Sequence, residues 1–162
     1  MSVKVFQVSN KPILANNLIR TDDFIREYKH IFNDVWAVTT SAERTENIKW
    51  LESAREGLMT NPDKSTVTLV SKTDYFKVDF DELKRMINQL SSLTLEDFAT
   101  EEVSFNLADS LFKLDDLLEN DDGLYFYDSR YDLNILNPAQ TFVRYKWQNG
   151  ETLYIGSILI SS

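Results

Sequence analysis

Carboxylates are the groups in this chain best supplied to do chemistry. They come in adjacent pairs: Glu96 with Asp97, Glu101 with Glu102, Asp115 with Asp116 and Asp121 with Asp122. Two carboxylates can divide acid and base roles across a glycosidic bond. That work needs a partly buried setting to shift one pKa, and these pairs fall where a helix faces water. The sole histidine, His30, lies away from the apolar stripe of its predicted helix. No Ser or carboxylate nearby completes a triad with it. One His and no Cys exclude a histidine-rich or thiolate metal centre. Four glycines at 57, 123, 150 and 156 are too scattered for a phosphate loop. Aligning Gly123 with the glycine of a calcium loop puts Leu118 and Ser129 at the first and last ligand positions, where oxygen-rich acidic ligands are required. The sequence therefore assigns no catalytic, cofactor-binding or metal-ligating residue, and it reads as a non-enzymatic protein.

What remains is charge. The chain of 162 residues carries a net charge of −9. The segment from Asp79 to Asp132 holds 15 of the 26 carboxylates against Lys84, Arg85, Lys113 and Arg130, while the flanks are slightly basic. Binding to bare nucleic acid needs a basic surface, and an anionic membrane repels this chain too. The natural counterpart is a basic protein surface, such as that of a nuclease or another nucleic-acid-binding protein. On this reading Asp97, Glu101, Asp109, Asp115, Asp116, Glu119, Asp121 and Asp122 imitate phosphates. Tyr125, Tyr127 and Tyr131 supply aromatic contacts beside them. The composition has the general character of small acidic anti-restriction and anti-CRISPR proteins of phages, and of immunity proteins that neutralise nuclease toxins. The likeness is one of composition and carries no residue roles. The alternative reading is an assembly subunit, a homo-oligomer, whose acidic segment merely keeps it solvated.

The elements that position these groups follow from periodicity. Val3–Val8 reads as a strand. Thr21 caps a helix in which Phe24, Ile25, Tyr28, Ile31, Phe32 and Val35 follow at helical spacing. Residues 41–59 read as a second helix. Residues 65–71 and 75–78 read as strands, β-branched and aromatic. Asp79 opens a third helix with Glu82 in capping-box position. Thr94 starts a short segment, and Ser104 caps a fourth helix with an apolar seam through Leu107, Leu111, Leu114 and Leu118. Leu124–Tyr127 is a strand. Residues 140–147 and 151–160 flank Asn149-Gly150, a strong hairpin signal.

The fold class expected is α+β, an antiparallel sheet with a C-terminal hairpin and about four helices packed on one side. One domain spans 1–162, with the acidic segment at 79–132. With no Cys, no export signal and no apolar run of membrane length, the expected location is the cytoplasm.

Overall fold

The first strand shows how the sequence builds the sheet. In β1 (Val3–Ser9) the side chains alternate between two cores: Phe6 and Val8 enter the larger one, Val5 the smaller. A strand buried on both faces must have neighbours on both edges. β5 (Leu124–Asp128) lies parallel along one edge, pairing Phe6 with Phe126. β7 (Thr152–Ser161) lies antiparallel along the other, pairing Val5 with Leu159.

The computed structural model describes residues 2–119 and 123–162, with the backbone alone for 101–106 and 119. Between the strands already named run α1 (Thr21–Tyr28), β2 (Val35–Ala37), α2 (Ser41–Ala54), β3 (Leu58–Asn61), β4 (Thr66–Leu69), α3 (Lys72–Ser91), α4 (Leu95–Phe98) and α5 (Glu101–Glu119). After β5 come β6 (Ile135–Pro138) and α6 (Ala139–Tyr145). The seven-stranded sheet has the order β3-β4-β7-β1-β5-β6, with β2 also on β7. It is antiparallel apart from the β1–β5 pair. The class is α+β, as expected.

Helices cover both faces of the sheet, not one. The larger core joins Phe6, Phe126 and Ile158 to Ile48 and Leu51 of α2, Phe142 and Val143 of α6, and Trp147. Ring centroids of Phe126 lie 5.2 Å from Phe142 and 5.4 Å from Trp147. The Trp147 indole N–H donates to the Glu151 carbonyl at 3.0 Å, so its polar end is satisfied. On the other face Phe24 and Phe32 pack with Val5, Tyr127 and Leu159.

Several expectations are corrected. α1 ends at Tyr28 and is capped by Arg20, not Thr21. Phe24, Tyr28 and Phe32 still pack together, because the turn after the helix carries Phe32 inward. α2 stops at Ala54, where Gly57 at φ +80° turns the chain into β3. Residues 75–78 are helical, not a strand. Ser71 accepts a hydrogen bond from the Asp74 N–H at 3.1 Å and so starts α3 well before Asp79.

Residues 140–147 do not form the first arm of a hairpin. Ala139, Gln140, Phe142, Val143 and Trp147 are all buried, and their spacing fits a helix as well as an alternation. The Asn149-Gly150 turn itself is present, closed by the Glu151 N–H on the Gln148 carbonyl at 3.0 Å. The strand that follows it pairs with β1, β2 and β4 instead.

Candidate functional site

The acidic segment lies mainly on a helical arm. α3 is rooted in the sheet body by its first turns. Tyr75 and Phe76 join the larger core, and the Arg144 guanidinium sits 4.8 Å above the Phe76 ring. Asp79 accepts from Gln140 Nε2 at 3.1 Å. α3 then continues to Ser91, and the chain reverses through the short α4, where Thr94 and Asp97 close a reciprocal capping box. α5 runs back along α3, so that Leu117 near its end shares a groove of about 550 Å³ with Val78, Asp79, Asp81, Glu82 and Arg85.

Packing within the arm is thin. On α3 the inward stripe is Tyr75, Asp79, Leu83, Met86 and Leu90, of which only Tyr75 and Met86 are buried. On α5 the half-buried positions are Leu107, Ser110, Leu114 and Leu117. The expected seam kept Leu107 and Leu114 but took in Leu111 and Leu118, which are exposed. Two leucine tracks at helical spacing compete on this helix, and the one containing Ser110 faces inward. None of the described side chains of α5 is buried.

The rejected track becomes a surface feature. Phe80 and Ile87, seven residues apart, stand exposed on one flank of α3; Leu111 and Leu118 do so on α5. At about 100° per residue, both pairs lie opposite the flank occupied by Arg85 and Leu117. Each pair makes an exposed apolar stripe along the flank of its own helix. Leu95 and Phe98 of α4, 85% and 61% exposed, extend the apolar surface at its tip. Phe112 is 74% exposed on the outer side of α5. Large apolar side chains left exposed in this number make the arm a candidate contact site.

The predicted phosphate mimics divide into groups. Asp109 is paired with Lys113 at 3.1 Å. Asp81 pairs with Lys77 at 2.8 Å, and Glu82 with Arg85, whose hydrogen bond holds the Glu82 carboxyl below its ordinary pKa. Asp97 is occupied by its cap. Asp115 and Asp116 are exposed on α5, Asp115 beside the Leu111–Leu118 stripe, and Glu96 is exposed on α4. Glu101 and Glu119 mark the two ends of α5, with side chains beyond description. Asp121 and Asp122 lie outside the described residues.

Asp128 is not part of any acidic surface. It is fully buried and accepts from Arg130 Nε at 2.9 Å and Nη2 at 3.0 Å, a bidentate pair. Arg130 also reaches Glu151 at 3.2 Å and stacks 5.1 Å over the Phe142 ring. Donating these hydrogen bonds to the Asp128 carboxylate raises the Arg130 pKa further. This pair ties the end of β5 to the turn before β7. Spacing alone hides it, because Asp-x-Arg in a strand end reads as surface.

The tyrosines also separate. Tyr127 is buried against Phe24, and Tyr125, half-buried, meets Phe32 edge-on at 5.4 Å, so both pack with the smaller core. Tyr131 is 78% exposed in a turn where its φ is +56°. His30 is exposed beyond α1. Among the described residues no cluster of three or more His, Cys, Asp or Glu could hold a metal ion, and no helix is long and apolar enough to cross a membrane.

Comparison of the chain with protein-family models, with curated proteins and with solved structures finds no match to any of them.

Proposed function

We infer that this is a non-enzymatic binding protein whose helical arm docks on, and masks, a basic surface of a protein partner. The observation that carries the reading is the coincidence on one arm of large exposed apolar side chains and exposed carboxylates. Phe80, Ile87, Leu111 and Leu118 offer contact area, and Glu96 and Asp115 stand nearby with no ion-pair partner among the described residues. Apolar contacts supply affinity, while charge sets orientation and association rate.

Charge also favours a foreign partner over a second copy. Residues 79–119 carry 11 carboxylates against 3 bases, so two arms brought together repel one another. A basic surface meets the same charge with attraction. Nucleases and other nucleic-acid-binding proteins carry such surfaces by necessity. Masking one with carboxylates would compete with its nucleic acid.

The test is capture from lysate of the source cells at low and high salt, using the wild type, Asp115→Lys, Leu111→Ser and, as an off-arm control, Asp63→Lys. The expected result is a basic polypeptide retained at low salt, lost at high salt, and lost with either arm variant but not with the control. Light scattering that shows a dimer broken by Leu111→Ser would instead favour self-assembly. A captured set unchanged by both arm variants would remove the arm from the binding surface.

A further inference from the structure

A second site lies away from the arm, where the sheet is incomplete. β1 follows one edge of β7 along nearly its whole length, but two short strands share the other edge. β4 pairs with Thr152, Leu153 and Tyr154, and β2 with Leu159, Ile160 and Ser161. Residues 155–158 have no strand neighbour on that side. Their backbone groups must be satisfied otherwise. The Ile155 N–H donates to the Ser65 carbonyl at 2.7 Å, and the Val38 N–H donates to the Ile158 carbonyl at 2.9 Å. Arg44 reaches over from α2 and donates Nη2 to the Ile155 carbonyl at 2.7 Å and Nη1 to the Gly156 carbonyl at 2.6 Å.

A guanidinium has five N–H donors in a rigid fork. Two are used here, and the other three meet no acceptor among the described residues. The gap opens as a cleft of about 860 Å³, within the range of small-molecule sites. Its walls include Ile13, Leu18, Val38 and Ile158, and Lys64 lines it together with Arg44. No carboxylate lines it among the described residues. In a chain of net charge −9 this is a concentrated, uncompensated positive charge. Burial lowers the Arg44 pKa with no acidic neighbour to offset it. The guanidinium stays charged all the same, held in place by the two carbonyls.

We propose that this cleft binds a small amphipathic organic anion, a carboxylate with a medium-length alkyl chain. The carboxylate takes the free donors of Arg44 and the Lys64 ammonium; the chain lies along Ile13, Leu18, Val38 and Ile158. The site is independent of the partner-binding arm, so each reading can fail alone.

The experiment titrates the full chain, labelled with ¹⁵N, with octanoate, octanol and acetate in turn. Octanoate is expected to shift the amides of 37–38 and 155–158 and the Arg44 Nε–H. Octanol lacks the charge and acetate lacks the tail, and both should bind weakly. Lys64→Glu reverses the second charge without touching the bonds that Arg44 makes to the sheet. It should weaken octanoate about tenfold, an ordinary effect for one close charge in a partly desolvated site. Equal binding of octanol and octanoate, an unaffected Lys64→Glu variant, or shifts gathered on α3 and α5 would each overturn the proposal.

Discussion

The sheet body and the helical arm have similar shares of apolar residues, though the arm is richer in charged ones, and they use the apolar residues in opposite ways. In the body, β1 is buried on both faces, and even its polar member is fully engaged. Gln7 donates to the Asn17 carbonyl at 2.8 Å and accepts from the N–H groups of Ile19 and Ser157 at 3.1 and 3.0 Å. In the arm, two long helices leave Phe80, Ile87, Leu111, Phe112 and Leu118 in solvent. Burial in the body stabilises the fold. Exposure on the arm adds nothing to the fold, since apolar surface left wet contributes no stabilisation until it is covered.

This contrast is broken most directly by truncating one large ring in each region. Phe142→Ala removes a fully buried side chain in contact with Phe126 and Trp147. It should cost about 3–5 kcal/mol in urea unfolding. Phe112→Ala, on the arm, should change stability by less than about 0.5 kcal/mol. Comparable losses at the two sites would mean that the arm is packed as firmly as the body. Native-state hydrogen exchange should agree, with α5 amides opening well before those of β1 and β7.

Next in size is the Asp128–Arg130 pair. Asp128→Ala removes the bidentate partner of Arg130, leaves that 10%-exposed side chain with Glu151 alone, and should cost about 3 kcal/mol or more. Replacing both together, Asp128→Leu with Arg130→Met, should restore much of that loss, because the desolvation of both charges disappears with them. A double variant as unstable as the single one would show that the pair contributes more than mutual compensation. Charge reversal at Asp115 on the arm should leave unfolding almost unchanged. The same chemical class of residue is thus structural in one region and available in the other.

The body was the more legible region, and for a physical reason. Val3–Val8 and the alternating run after Gly150 announce strands because both faces are buried and β-branched. The helix that replaces the first hairpin arm was not legible. Phe142, Val143 and Trp147 satisfy two periodicities at once, and only their packing on Phe126 decides between them. The start of α3 was missed because the capping pattern at Asp79 hid an earlier one at Ser71, whose bond to Asp74 is local but weak in sequence. On the arm the leucine excess of α5 was visible: a seam needs one track, and this helix has two. A single seam through Leu107, Leu111, Leu114 and Leu118 mixes the two tracks, placing Leu111 and Leu118 inside and leaving Leu117 out. Which carboxylates stay available could not be read at all, since it depends on pairings such as Lys113 with Asp109 and on the burial of Asp128.

A smaller effect is expected where two parts of the body approach closely. A Cβ at Gly156 would stand 2.5 Å from Gln7 Oε1 and 2.7 Å from Ile13 Cδ1. Gly156→Ala must therefore displace the Gln7 amide and should cost about 1–3 kcal/mol, the range for overpacking. It should also perturb the amides of Ile19 and Ser157, whose acceptor moves. An unperturbed Ser157 amide would overturn this account, since yielding by Ile13 alone leaves the contact with Gln7 in place.

The smallest effect separates the regions by pH. Burial, then the nearby Glu27 carboxylate, pushes the Tyr28 phenol from its ordinary 10.0 up to about 12. Tyr127, in the same small core, is raised in the same direction by burial. A raised phenol pKa means that the fold holds the neutral form. The stability this contributes is fully present below pH 10.0 and is lost as pH climbs through about 12. Tyr28→Phe keeps the ring against Phe24, 4.9 Å away, and removes the ionisable group. Its denaturant midpoint should therefore fall less steeply with alkaline pH than that of the wild type, with a remainder from Tyr127. Spectra should show the loss first around Phe24 and Phe32, while α5 resonances follow the arm's own opening. A wild-type curve already flat across this range would mean that solvent reaches the Tyr28 hydroxyl freely, and that the smaller core is as open to water as the arm.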